Sequence, residues 1–480
     1  MPTAPPVRLP ARAHPAPASA SVSGWTLRSA GGCEGVTGSA HLLTCDDARV
    51  LVDAGLFQGP DEEAANRVPW PFEPRSIDAV VLTHGHLDHV GRLPRLWADG
   101  FRGPVFATAA TLAVAEVVLR DAARIQAEDR ARARRRARRA GIAGDAARPP
   151  YAQNDLEAVL ARGRAVPFHR RFTVCRGVHG TLGRAGHVLG AAWLALDGPG
   201  GRVLLSGDLG DADGPLHPPP EPPPPTDALL IETTYADARH RSWTETARAF
   251  GEVVGRTLGR GGNVLIPTFA LERTQAVLNT LQVLEARREI PAARVVLDAP
   301  MGERMTALYR RYPQTLRSAI AHRLARGDDP FRPAGLEVAR GGGAARDLRD
   351  ARGVVIVAGA GMLTGGRMLQ HLAFHLGDPR NALVFVGYQA EGTLGREIVD
   401  GARQVRVLGE PVAIAAEVAS VHGFSAHADA DALDGWWRAS GARVVVPVHG
   451  ETGAREALAG RVLAAGGAVR HARLGEPLSL

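Results

Sequence analysis

The chain has 480 residues, 45% of them hydrophobic and 22% charged, which indicates a folded globular protein with room for two or three domains. No apolar run approaches the roughly 18 to 20 residues that span a bilayer, so membrane insertion is excluded. The net charge of +7 rests on 57 basic residues that are all arginine, a balance that fits a polyanionic partner or biased codon usage equally well.

In chain order, residues 1–23 are rich in Pro and Ala, without an apolar signal core, and are predicted to be a disordered tail; secretion is not expected. From Trp25 the pattern is of short strands: TLRSAGG, then SAHLLTCDDARVLVDAG, which predicts paired strands joined at Asp46 and Asp47 and ending at Asp53. Asp53 reads either as a turn residue beside Gly55 or as an acceptor for a ligating histidine. Cys33, Cys45 and Cys175 have no metal-type spacing, and their odd number argues against a disulfide framework, which fits a cytoplasmic location.

Ile77 to Leu82 is apolar and β-branched, with the length of a buried strand, and the sequence HGHLDH follows it directly. His84 and His86 alternate across Gly85 onto one side of an extended segment, while Asp88 and His89 turn onto a following helix. Four nitrogen and oxygen donors converging at a strand end suit zinc. Helical patterns then cover Leu93 to Gly100 and Thr111 to Arg139, the second closing in an arginine run from Arg130 that reads as a solvated face or as a phosphate contact.

Phe172 to Leu209 returns to strands and contains His187, before VLGAAWLAL, and Asp208, at the end of VLLSGDLG. Together these offer a third imidazole and a carboxylate able to bridge two metals. The stiff segment HPPPEPPPP from His217 marks the sharpest boundary in the chain. Beyond it, strands and helices alternate from ALLIE to ALVFVGY, the pattern of a parallel α/β domain over roughly 222–398. From about 399 short strands resume, carrying His427 in SAHAD and His449 in VHGE.

With these residues in place, the chain resembles the metallo-β-lactamase-fold nucleases that carry a β-CASP domain, the group that includes ribonuclease J and the cleavage and polyadenylation endonuclease. GAGMLTGGR, DPRNALVFVGYQAEGTLGR, GFSAHAD and PVHGE make it similar to the prokaryotic RNA-specific metallo-hydrolases, and the likeness extends from Gly24 to the C-terminus. The fold implied is α/β: an αββα metallo-β-lactamase sandwich over 24–221 and 399–480, interrupted by a β-CASP α/β domain over 222–398. Position by position, the resemblance implies one zinc held by His84, His86 and His187, a second by Asp88, His89 and His449, and Asp208 bridging. It also carries Asp53 over as a conserved-motif aspartate, Glu232 in IETTY and His427 as further motif residues. Relatives directed at DNA usually lack the last histidine, so His449 favours RNA.

The chemistry so implied is hydrolysis of RNA phosphodiester bonds with two zinc ions, Asp53, Asp88 and Asp208 in the catalytic set, His427 as general acid and Glu232 orienting it. Phosphate contacts are expected from Gly359, Gly361, Gly365, Gly366, Arg367, Arg380 and Arg396, since bare backbone N–H groups and guanidinium forks suit phosphate oxygens; glycines that merely close strands are the alternative reading. Ala360 stands where relatives often have serine, and ETTYAD where they often have ESTYGD. Endonucleolytic and 5′ exonucleolytic cleavage both remain open, with the first favoured. The partners expected are RNA and, for a homodimer, a second copy of the chain. A small-molecule hydrolase of the same sandwich gives no reason for the inserted domain or for His427, and every motif position is filled, which argues against an inactive RNA-binding member.

Overall fold

The computed structural model describes residues 24–59, 64–139 and 150–480; the tail expected to be disordered lies outside them, as do the side chains of Arg136 and Arg138. Two seven-stranded sheets and one six-stranded sheet carry the fold.

In the first sheet, His41–Cys45 and Ala48–Val52 form the antiparallel pair turned at Asp46 and Asp47, and Ala48–Val52 then runs parallel to Ala79–Val81. Alternation decides which way each residue faces. Val50 and Val52 point into one core with Leu194, Leu196, Leu205 and Leu230 of the second sheet, while Leu51 points the other way, towards Leu93, Leu96 and Val114 of the outer helices. The second sheet repeats the pattern: Val203 and Leu205 face the first sheet, and Leu204 faces outwards. The result is two sheets packed face to face with helices on both outer surfaces, the αββα arrangement.

The first sheet takes in Pro477–Ser479, and the second takes in Val444–Val448, so the two ends of the chain close on each other. Between them lies the third sheet, whose strands are all parallel: Leu336–Val338, Arg294–Asp298, Val354–Ala358, Val264–Pro267, Ala382–Phe385 and Glu417–Ser420, in that spatial order. Its strands are apolar on both faces, as burial under helices on each side requires. The helix Trp243–Gly259 that covers one face begins in a capping box, with Ser242 Oγ accepting from Glu245 N–H and Glu245 Oε2 accepting from Ser242 N–H.

Two strands fall on the far side of the sequence boundaries. Ala228–Glu232 follows residue 222 but pairs in the second sheet, between Gly201–Leu205 and Val444–Val448. Glu417–Ser420 follows residue 399 but pairs with Ala382–Phe385 in the third. A fully apolar strand shows that it is central without showing in which sheet, and the proline segment precedes the last sandwich strand before the inserted sheet instead of following it.

The arginine-rich helix extends over Ala109–Arg139. Part of its charge is spent along the helix: Arg124 pairs with Glu128 at 2.6 Å and Arg132 with Glu128 at 3.4 Å. No helix among the described residues is long and apolar enough to cross a membrane.

Close approach fixes one glycine beside the histidine cluster. A Cβ on Gly55 would lie 1.5 Å from the carbonyl oxygen of Asp88. Gly55→Ala is therefore expected to destabilise the fold by at least about 1 to 3 kcal/mol, as overpacking does, and to displace the turn that presents Asp88. Thermal unfolding checks this, and an unchanged midpoint contradicts it.

Candidate metal centre

Strand ends collect the site. His84 and His86 follow Ala79–Val81, and Asp88 and His89 lie in the short helix Leu87–Val90. His187 sits in the turn between Val178–Arg184 and Ala192–Gly198; Asp208 follows Gly201–Leu205, and His449 follows Val448. Among the described residues, two groups are spaced to hold a cation: His84, His86, His187 and Asp208, and Asp88, His89 and His449.

The carboxylate of Asp208 faces both. Its Oδ2 lies 3.5 Å from His84 Nε2 and 3.6 Å from His187 Nε2, and its Oδ1 lies 3.4 Å from His89 Nε2 and 3.5 Å from His449 Nδ1. His449 Nε2 in turn is 3.5 Å from Asp88 Oδ2. His86 turns its Nδ1 to within 3.1 Å of His84 Nε2 and 3.2 Å of His187 Nε2.

The opposite nitrogens are tied to the protein. Asp53 Oδ2 lies 2.8 Å from His89 Nδ1 and accepts from the Thr83 hydroxyl, also at 2.8 Å, while Asp53 Oδ1 accepts from Thr83 N–H. With its only proton on Asp53, the Thr83 oxygen is left to accept from His84 Nδ1, 3.1 Å away. His187 Nδ1 donates to the carbonyl of Ala426 at 2.9 Å. His84 and His187 thus have their tautomer set so that Nε2 presents a lone pair inwards, the arrangement that outer partners give to metal-binding histidines, and Asp53 orients the His89 ring. Asp53 and His449 both adopt positive φ, 62° and 47°, a strained conformation for non-glycine residues that the surrounding bonds hold in place.

A cation fits this donor set. Asp208 Oδ1 is buried without a hydrogen-bond partner, and imidazole nitrogens crowd one another, His89 Nε2 lying 3.2 Å from His449 Nε2. Burial holds His84 and His187 well below the ordinary histidine pKa and brings His86 down to about 4, so these rings are neutral, as ligands must be. Burial would lower His89 too, but the carboxylates of Asp208 and Asp53 outweigh it and raise the ring well above its usual value. Asp208 is driven the other way: burial opposes its charge, yet His449, His89 and His84 lower its pKa well below the carboxylate range.

Beside the centre stands a His–carboxylate pair. His427 Nδ1 lies 3.1 and 3.2 Å from the two oxygens of Glu232, which is fully buried and also accepts from Leu209 N–H at 2.7 Å. The His427 ring packs 4.4 Å from that of His187, and its side chain keeps 20% of its surface exposed. Burial lowers its proton affinity, but the Glu232 carboxylate beside it raises the pKa above the ordinary value.

The family descriptions that match the chain are "Metallo-beta-lactamase superfamily" over residues 34–297, "Beta-Casp domain" over 274–398 and "Zn-dependent metallo-hydrolase RNA specificity domain" over 411–472. A protein of Thermus thermophilus named ribonuclease TTHA0252 is 43% identical over 447 residues, covering 93% of this chain and 98% of its own. The chain belongs to the β-CASP family of metallo-β-lactamase-fold proteins. Two archaeal members of wider similarity are named transcription termination factor FttA. The Methanosarcina mazei protein is 30% identical over 83% of this chain and 62% of its own length, and that of Cenarchaeum symbiosum 31% over 92% and 69%. A crystal structure of a protein of unknown function from Enterococcus faecalis shares the fold at a TM-score of 0.58 and 15% identity, covering 95% of this chain.

The seven residues that the family resemblance assigned to metal all stand in the two groups, with Asp53, Glu232 and His427 against them. The expected phosphate contacts divide. Gly359, Gly361, Gly365, Gly366 and Arg367 follow Val354–Ala358 at the carboxyl end of the third sheet. Arg367 there pairs with Asp298 at 2.7 Å and donates to the carbonyl of Gly341. Arg380, by contrast, precedes Ala382–Phe385 and so lies at the amino end of a parallel sheet, paired with Asp378 at 2.8 Å. Arg396 is turned to Asp400, 2.7 Å away along its own helix. The structure does not bring these last two to the centre. It brings others that the sequence reading omits: Thr83, Thr234, whose hydroxyl lies 3.2 Å from His449 Nδ1, and His240, whose Nε2 is 3.1 Å from the carbonyl of His427. Thr83 adjoins His84 and Thr234 lies two residues after Glu232, and that proximity in the chain was the available signal.

Proposed function

We propose that the chain is a metal-dependent ribonuclease that hydrolyses RNA phosphodiester bonds. The observation that carries this reading is the placement of the His427–Glu232 pair against a two-group histidine and aspartate centre. A centre serving only to bind has no use for a proton donor beside it.

In this reading His84, His86 and His187 would hold one zinc ion and Asp88, His89 and His449 another, with Asp208 available to both groups. Zinc bound there supplies Lewis acidity to water and to the scissile phosphate's oxygens. Asp53 keeps His89 in register and, through Thr83, His84 as well. Glu232 accepts the Nδ1 proton of His427 and its charge favours the imidazolium, whose second proton, on Nε2, is the one donated to the departing ribose oxygen. Gly359, Gly361, Gly365, Gly366 and Arg367, at the carboxyl end of the third sheet, take the neighbouring phosphates. Cleavage is endonucleolytic in this reading, and the full-length likeness to a protein named ribonuclease supports RNA as the substrate.

The test is incubation of the zinc-loaded protein with RNA labelled at either end, bearing a 5′-phosphate or a 5′-hydroxyl, beside DNA of the same sequence. Internal RNA products independent of the 5′ group are expected. Release of 5′ mononucleotides alone rejects the endonucleolytic assignment, and no cleavage of any strand rejects the function.

A further inference from the structure

Phe269 and Tyr388 are 41% and 61% exposed, large rings left on the surface of a chain whose other aromatic residues are mostly covered. Singly exposed apolar residues need no explanation, but these two share a location. Phe269 follows Val264–Pro267 and Tyr388 follows Ala382–Phe385, and these are adjacent parallel strands. From the first the chain crosses towards Arg294–Asp298 on one side; from the second it crosses towards Glu417–Ser420 on the other. The two rings therefore flank the point where the sheet's connections diverge, the crevice in which open parallel sheets bind ligands.

A guanidinium sits between the two loops. Arg273 Nη1 donates to the carbonyl of Val386 at 2.7 Å and to that of Phe424, three residues before His427. Gly387, next to Tyr388, lies against the same guanidinium: a Cβ there would be in van der Waals contact with it, 3.6 Å from its carbon. The Phe269 ring rests on Gly361 of the glycine-rich loop, where a Cβ would come within 2.6 Å of it, and Gln389 ties the Tyr388 loop to Gly361 by a 3.1 Å bond to its carbonyl. Glu272, adjoining Arg273, lines the same cavity as His187 and Ala426. The rings are thus joined by short contacts to the segment that carries His427.

We infer that Phe269 and Tyr388 are stacking platforms for unpaired bases of the RNA strand on either side of the cleft. The inference rests on the ribonuclease reading above. Aromatic faces interleaved with arginine bind single strands with little regard to sequence, because every base has a π face and every linkage a phosphate. The same surface offers nothing to a duplex, whose bases are already stacked.

The experiment uses an unstructured RNA oligomer carrying 2-aminopurine, titrated by fluorescence against the full chain and followed in parallel by cleavage. Tyr388→Ala and Phe269→Ala are each expected to lower RNA affinity by about 5- to 150-fold and to raise KM more than they lower kcat. Tyr388→Phe, which keeps the ring, restores affinity. Leu408→Ala, at a side chain equally exposed at 61% on a separate hairpin, leaves it unchanged. Unaltered affinity and 2-aminopurine emission in both alanine variants overturns the inference. So does a dimer in sedimentation that the two variants convert to monomer with RNA affinity intact, since the rings then cover a second copy. Ring-dependent RNA binding without cleavage by the wild type leaves the platform standing and removes the ribonuclease reading instead.

Discussion

His427→Ala is expected to reduce RNA cleavage by about 10²- to 10⁴-fold, the usual contribution of a positioned acid, while the protein retains its full metal content. His449→Ala is expected to lose metal from one group only. Both histidines lie within a few ångströms of the same centre, their rings 6.1 Å apart, so proximity does not separate their roles. Their partners do. His449 turns its nitrogens towards Asp88, Asp208 and His89, whereas His427 directs Nδ1 to Glu232, and among the described residues no carboxylate pairs with its other nitrogen. Glu232→Gln keeps the shape and removes the charge that raises His427. Because a group with a raised pKa stays protonated to higher pH, losing that charge moves the alkaline limb of the cleavage profile to lower pH. Metal analysis of the two alanine variants decides the matter: equal loss in both refutes the division of labour.

How much of this was legible in the chain depends on how local each signal is. HGHLDH after Ile77 to Leu82 could be read directly, since strand period and donor spacing sit within one short stretch. His187, Asp208 and His449 could not be assembled that way. They belong to strands brought together by a sheet order that crosses most of the chain, and only the family resemblance joined them. The bonds that set the rings were less visible still: the Ala426 carbonyl carries no side-chain signal, and Thr83 is an ordinary residue until Asp53 reaches it from the next strand. Arg380 shows a different failure. Its residue type suited phosphate, but it precedes its strand, and in a parallel sheet that alone sends it to the edge away from the glycine-rich loop.

Asp208→Ala is expected to empty both groups, the largest metal loss from any single substitution in the site. The argument rests on its two oxygens having separate duties. Oδ2 faces His84 and His187, Oδ1 faces His89 and His449, and each lies between 3.4 and 3.6 Å from those nitrogens, too far for strong hydrogen bonds and suited to a shared cation between them. Oδ1 is also buried and unpartnered, which costs the metal-free fold about 1 to 3 kcal/mol that a bound cation offsets. Alanine removes the ligand. The stabilisation that added zinc gives the wild type should therefore be absent from the variant. Elemental analysis with thermal unfolding at matched zinc concentrations tests both halves. Retention of one equivalent would show that Asp208 belongs to a single group.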